Sequence, residues 1–260
     1  NSRNITLDEI DKKITKKTIA VIVVHFGGLP CELGNIVKLL ERKKIELIED
    51  SAETLGATWK NKYTGSFGTG CFSFFPTKNI TTCEGGMLTT NSMERYIEIK
   101  KLIAHGINKS KKKHFWNREA DLAGHNYRLP NHLAGLGISQ FRQLSKFNKQ
   151  RKKIAKKYDN FFKKLSDKFH VQKVNSNLTH SYQMYSILIN SKYRNKLLYY
   201  LKKNNIEASA HFDPPLHQQK YLKKYSKKLP NTEKLAKEII TLPIYPRLKQ
   251  NDLNRIFKVI

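Results

Sequence analysis

The sequence predicts an α/β fold in two parts: a mostly parallel sheet domain over residues 1–145, then a linking helix and a smaller α/β unit over 146–260. Three observations carry this. Residues 19–24 form a continuous apolar, β-branched run, the pattern of a buried parallel strand. Residues 32–44 place Leu33, Ile36, Val37, Leu39 and Leu40 at helical spacing, and 45–49 read as a second strand that ends at Asp50. A strand, a helix and a strand within roughly thirty residues make a right-handed βαβ unit. In such sheets ligands gather beyond the carboxyl ends of the strands, where Asp50 falls.

The remaining elements follow in order. Gly65, Gly68 and Gly70 punctuate a turn before a strand over 71–75, and Gly85-Gly86 lead into a short strand over 87–90. A helix is expected over 92–105 and a polar, exposed loop over 108–118. Residues 131–168 carry Leu133, Leu136, Phe141, Leu144, Phe147, Ile154, Tyr158, Phe161 and Leu165 on one side, as two helices or one bent helix. The second unit reads as strand 182–189, helix 193–203, strand 206–211, a loop with Pro214-Pro215, helix 232–240 and a last helix from Asp252.

Composition narrows the function classes. The 260 residues are 39% hydrophobic and 10% aromatic, within the globular range. Cys31, Cys71 and Cys83 make neither a disulfide framework nor a paired-thiolate metal site, which points to a reducing, cytoplasmic setting. The net charge of +28 suits a nucleic-acid binder. Yet the lysines are spread over helix faces and loops and travel with abundant Asn and Ile. No zinc-finger, RNP-like or helix-turn-helix signature accompanies them. A solvated basic surface is the expectation, with no bound metal. The chain opens at Asn1 in a sheet-building region, and an absent N-terminal portion is expected.

Lys78 is the residue best placed for chemistry. It follows a strand, precedes Glu84-Gly85-Gly86, and shares a strand-end neighbourhood with Asp50 and Ser73. A lysine in a dry site loses its proton readily and forms an imine, which a solvated lysine does poorly. Pyridoxal phosphate requires such a lysine, a carboxylate facing its pyridine nitrogen and donors for its phosphate. Lys78, Asp50 and Ser73 meet these demands in type and position. Taken singly they are ordinary: a solvated cation, a cap-forming acid and a backbone-bonding serine.

The wording of the chain then becomes informative. Ile48-Glu49-Asp50-Ser51-Ala52-Glu53-Thr54-Leu55-Gly56-Ala57, Gly65-Ser66-Phe67-Gly68, Cys71-Phe72-Ser73-Phe74-Phe75-Pro76-Thr77-Lys78-Asn79-Ile80-Thr81-Thr82 and Glu84-Gly85-Gly86-Met87 closely resemble the DegT/DnrJ/StrS aminotransferases. Weaker matches run through Val24-His25 with Gly27, Asn126-Tyr127-Arg128-Leu129, His180-Ser181-Tyr182, Pro214-Pro215-Leu216-His217 and Leu242-Pro243-Ile244-Tyr245-Pro246, so the resemblance spans nearly the whole chain. It implies the fold-type I architecture and pyridoxal-phosphate-dependent transamination of a nucleotide-linked keto sugar, with glutamate as amino donor.

Roles follow position by position as what the resemblance implies. Lys78 resembles the Schiff-base lysine and acid/base, Asp50 the partner of the pyridine nitrogen, and Ser73 the phosphate-binding serine. Glu53 stands where Gln or His is frequent, near the phenolic oxygen of the cofactor, and hints at amination at C4. Asn126 and Arg128 lie in the segment that reaches the neighbouring subunit's cofactor phosphate, which implies a homodimer with shared sites. Cys83 occupies a position where glycine is commoner. The family's N-terminal portion, with its phosphate-binding helix start and stacking aromatic, is missing from the match, so residues 1–260 alone are expected to bind the cofactor weakly.

His25, after the first strand, and His217, beside the Pro214-Pro215 loop together with His211, are candidates for substrate contact; packed or surface histidines are the plain alternatives. The dehydratase branch of the family replaces the lysine with histidine, and Lys78 argues against it. Two rivals from other classes are a truncated, inactive relative with a binding role and a basic nucleic-acid-binding protein.

Overall fold

The computed structural model describes residues 2–108, 114 and 116–260; the loop expected over 108–118 lies for the most part outside them. A short helix α1 (Leu7–Asp11) precedes strand β1 (Ala20–Val24), helix α2 (Leu33–Lys43) and strand β2 (Glu46–Asp50). Then come the small strands β3 (Thr58–Trp59) and β4 (Lys62–Tyr63), followed by β5 (Thr69–Ser73), β6 (Gly86–Thr89) and helix α3 (Met93–Leu102). Strands β1, β2 and β5 are parallel neighbours, with Val24 paired to Asp50 and Asp50 to Cys71, so their carboxyl ends are level. Strand β6 closes the sheet antiparallel to β5.

This sheet packs one face on α2. Leu33, Ile36, Leu39 and Leu40 meet Val23 and Leu47 in a closed cluster with Ile10 and Cys31, each large aliphatic stabilising by about 1.5–3 kcal/mol. The other face departs from the expectation of a strand buried on both sides. Ile22 is 61% and Val24 48% exposed, because only alternate residues of β1 turn toward α2.

Residues 131–168 resolve into two helices, α4 (Asn131–Phe141) and α5 (Leu144–Lys163). Strands β7 (Phe169–Val171) and β8 (Leu178–Thr179) follow, then β9 (Tyr185–Ile189), helix α6 (Ser191–Lys203), helix α7 (Pro230–Glu238), strand β10 (Ile239–Leu242) and helix α8 (Gln250–Val259). The order β10-β9-β7 is antiparallel throughout. Its core joins Tyr158 and Phe162 of α5 with Ile187, Leu201, Ile240 and Leu253. Two expectations are corrected here. The helix expected to 240 stops at Glu238, because Ile239 and Ile240 pair with Leu188 and Ile187. The strand expected over 206–211 is reduced to a bridge between Ser209 and Thr241. Among the described residues no helix is long and apolar enough to cross a membrane.

The two cores are stitched together close to Lys78. Strand β8 pairs with β3, and the amides of Ser181 and Met184 donate to the carbonyls of Gly28 and Gly27. Gly28 makes that approach possible: at φ 104° a Cβ there would lie 2.6 Å from Ser181 Oγ and 2.9 Å from the Gln183 amide. Asn79 Nδ2 donates to the Ser181 carbonyl, and Gln183 Nε2 donates to the carbonyl of Thr77. The loop bearing Lys78 is therefore held by the second half of the chain.

Candidate active site

Lys78 sits in the turn after β5. Its amide donates to the Phe75 carbonyl, and the Phe74 and Thr82 amides close the turn onto Gly85 and Phe74. The side chain is only 18% exposed, and Nζ lies 3.8 Å from Glu53 Oε1. Glu53 accepts from the Gly27 amide through its other oxygen at 2.8 Å. Burial pushes the Glu53 carboxyl above its ordinary range. The Gly27 amide and the Lys78 charge pull it down, Asp50 adds to the rise, and the upward effects prevail.

Asp50 ends β2 beside them, half-buried, with Oδ1 accepting from the Ala52 amide at 3.1 Å. That bond is the local turn that strand-end acids often make, and it engages only one of the two carboxylate oxygens. Ser73 ends β5; its Oγ accepts from the Phe75 amide at 3.3 Å, so its O–H remains to donate. The Asp50 carboxylate and the Ser73 hydroxyl thus end the adjacent parallel strands β2 and β5, and the turn after β5 carries the Lys78 amine to Glu53. This donor set fits the amine, ring-nitrogen and phosphate requirements of pyridoxal phosphate.

Asn126 and Arg128 stand apart from this cluster. They face outward and bond each other, Arg128 Nε donating to Asn126 Oδ1 at 3.0 Å, while Arg128 Nη2 lies 3.3 Å from His105 Nε2. Between them Tyr127 is 71% exposed. The adjoining Leu129 is close to Gly85, where a Cβ would meet its Cδ1 at 2.7 Å, which sets the segment against the turn that follows Lys78.

The structure favours the plain alternatives for His25 and His217. His25 has no exposed surface: Nε2 faces Glu49 Oε2 at 3.2 Å and Nδ1 accepts from the Cys31 amide at 3.0 Å. With both ring nitrogens engaged in the interior, it is a packing residue. His217 turns onto α7, with Nε2 3.3 Å from Glu233 Oε1. His211 is the histidine on which the charge of Lys78 acts. Burial lowers its pKa below the ordinary value and the Lys78 charge lowers it further, while Nδ1 lies 3.0 Å from Thr241 Oγ1.

Glu49 was missed by sequence reasoning. Completely buried, it accepts from the amides of Gly65 and Phe67 at 2.8 Å and Gly68 at 2.9 Å, as well as facing His25. Burial pushes this carboxyl up, but the bond to His25 and the three amides outweigh it and hold the pKa below its ordinary value. A signal existed: strict alternation along β2 puts Glu49 on the same face as Leu47, toward the core.

Comparison with known proteins gives the family. The model of the DegT/DnrJ/EryC1/StrS aminotransferase family matches residues 1–260. An uncharacterized protein of Methanocaldococcus jannaschii is 37% identical, over 99% of this chain and 71% of its own length. GDP-perosamine synthase of Escherichia coli O157:H7 is 34% identical, over 95% of this chain and 66% of its own length. The chain thus spans about two thirds of the enzyme's length. Among solved structures, Helicobacter pylori PseC, an aminotransferase of pseudoaminic acid biosynthesis, superposes with a TM-score of 0.92 at 29% identity, covering 98% of this chain and 69% of that one. With its lysine, strand-end carboxylate and hydroxyl in this fold, the chain belongs to the DegT/DnrJ/EryC1/StrS aminotransferase family, whose enzymes depend on pyridoxal phosphate.

Proposed function

We propose that this chain carries the lysine-bearing part of a transaminase that moves an amino group from glutamate to a nucleotide-linked keto-deoxy sugar, for glycan or amino-sugar biosynthesis. The observation that carries the reading is the shielded Lys78 amine 3.8 Å from Glu53, beside Asp50 at the carboxyl ends of parallel strands. The relatives' names support a sugar substrate, since one makes GDP-perosamine and another serves pseudoaminic acid biosynthesis. Retention of Lys78 favours transamination over dehydration.

Bound pyridoxal phosphate supplies an aldehyde and an electron-accepting ring. Lys78 would hold the group covalently through its amine, and the freed amine would serve as the base and acid that moves a proton. The Asp50 carboxylate would face the ring nitrogen and favour its protonated form. Glu53, whose pKa is raised chiefly by burial, would lie near the phenolic oxygen and keeps the Lys78 amine oriented. Ser73 would donate its hydroxyl to the phosphate. Asn126 and Arg128, facing outward, suit the same role toward a second subunit, so the working unit is a homodimer with shared sites. The division near residues 145/146 places these groups on the first unit and His211 on the second. Three free cysteines suit a cytoplasmic enzyme.

The test is chemical. The chain, incubated with excess pyridoxal phosphate and reduced with borohydride, is expected to carry a pyridoxyl group on Lys78 ahead of its other lysines, read by peptide mass mapping. Lys78→Ala is expected to lose that label and the visible absorbance. An unchanged spectrum and label pattern in Lys78→Ala overturns the reading.

A further inference from the structure

Two hydrogen-bonded bridges join the turn that carries Lys78 to the segment that carries Glu53, and both start at Asn79. Asn79 is buried, and its Nδ2 has two hydrogens to give. One goes to the Ser181 carbonyl at 3.0 Å, and Ser181 Oγ in turn donates to the Glu53 carbonyl at 2.8 Å. The other goes to Asn148 Oδ1 at 2.6 Å, and Asn148 Nδ2 donates to the Leu55 carbonyl at 2.9 Å. The backbones that carry the Lys78–Glu53 pair are thus tied together twice, once through α5 and once through the loop before β9.

The Ser181 bridge is tightly built. Its amide donates to the Gly28 carbonyl at 2.9 Å, and Gly28, lacking a Cβ, leaves room for Oγ. The next residue, Tyr182, is held at φ 50°, a left-handed conformation that costs a non-glycine residue. The Tyr182 amide is fixed on His180 Nδ1 at 2.9 Å. Gln183 Nε2, donating to the Thr77 carbonyl at 3.2 Å, holds the residue on the other side of Lys78.

Asn79 Oδ1, by contrast, is buried without a partner among the described residues. An idle buried acceptor destabilises a fold, and an apolar side chain of similar size would avoid it. Packing alone therefore gives no reason for an amide at this position, whereas both of its donors are used. A lysine amine at the end of a flexible four-carbon stem keeps one position only if its backbone is fixed against the groups it serves. We propose that Asn79 is a positioning residue for Lys78: acting through Ser181 and Asn148, it sets the place of the lysine relative to Glu53. The assignment rests on the aminotransferase reading above.

The test reads the Lys78–Glu53 coupling. Carbon-13 carboxyl titrations of Glu53, assigned with Glu53→Gln, are recorded with and without Lys78→Met, in the wild-type chain and in Asn79→Ala. Lys78 pulls the Glu53 carboxyl down, so Lys78→Met is expected to raise the Glu53 midpoint in wild type. In Asn79→Ala the same replacement is expected to raise it less than half as far. Ser181→Ala and Asn148→Ala each cut one bridge and are expected to fall between. Glu49 is followed in the same spectra and is expected to stay unmoved, whereas a general loosening of the fold would shift it. Should Asn79→Ala fail to fold, the two single-bridge variants carry the test. A full effect of Lys78→Met in the folded variants, no effect in wild type, or a shifted Glu49 overturns the assignment. Borohydride trapping of pyridoxal phosphate on Lys78 in the same samples, expected to be severalfold slower in Asn79→Ala, separates the two claims. Label on Lys78 with the coupling unchanged in Asn79→Ala sinks only the Asn79 assignment, whereas no Lys78 label in wild type sinks the function itself.

Discussion

Glu49 and Glu53 flank the end of β2, and the regions around them treat a carboxylate in opposite ways. On the core side Glu49 is saturated by three backbone amides and His25, and its pKa is held low. On the open side Glu53 has one amide and a lysine 3.8 Å away, too little to offset its burial, and its pKa is raised. The lesson is that burial alone does not decide a carboxylate's state; the number of donors does. The saturated acid holds the Gly65–Gly68 turn and β1 in place. The undersaturated one is left free to respond to a ligand.

The largest expected effect breaks the saturated side. Glu49→Ala leaves three amides and a histidine without their acceptor and is expected to cost about 3–5 kcal/mol in chemical denaturation. Glu49→Gln is expected to cost less, because its amide keeps one acceptor oxygen. The sign with pH follows from the lowered pKa. The Glu49 contribution is fully present above its ordinary value of 4.5 and is lost as pH falls through its lower folded value, so the cost of Glu49→Gln shrinks in acid.

The second prediction runs the other way. A raised pKa means Glu53 weakens the fold increasingly as pH climbs from 4.5 through its folded value. Glu53→Gln is therefore expected to be neutral in acid and stabilising at neutral pH, by up to about 2 kcal/mol. Denaturation of both Gln variants across pH 2 to 8 checks the pair. If the two curves bend the same way, the contrast between the regions is wrong.

How much of this was legible in the sequence depends on how far apart the partners lie. The β1–α2–β2 unit and the turn around Lys78 follow from local periodicity, and the structure places Lys78, Asp50 and Ser73 at neighbouring strand ends. Strand β10 was misread because Ile239 and Ile240 continue an apolar helix pattern, and only pairing with β9 makes them a strand. Sequence left His25 open between packing and substrate contact because its partner Glu49 lies on the next strand and its other contact on the following loop. Arg3 and His211 come from opposite ends of the chain and meet in one cavity wall, a juxtaposition that periodicity does not encode.

The smallest prediction concerns the turn that closes over Lys78. Cys83 is exposed and sits at φ 67°, in the left-handed region where a Cβ crowds the backbone. Its amide donates to Thr81 Oγ1 and the Glu84 amide to the Thr82 carbonyl, so the turn keeps this shape despite the side chain. Cys83→Gly removes the clash at a position with no buried contact to lose, but it also frees the unfolded chain. The relief of about 1–2 kcal/mol exceeds the entropic loss of about 0.5–1 kcal/mol, so a net gain of roughly 0.5–1 kcal/mol is expected. Cys83→Ala, which keeps the Cβ and removes the thiol, is expected to leave stability unchanged within about 0.5 kcal/mol. A gain in Cys83→Ala equal to that in Cys83→Gly would assign the effect to the thiol instead of the backbone. It would leave the left-handed turn beside Lys78 unstrained, and the contrast between a relaxed core side and a strained site side would then rest on Glu53 alone.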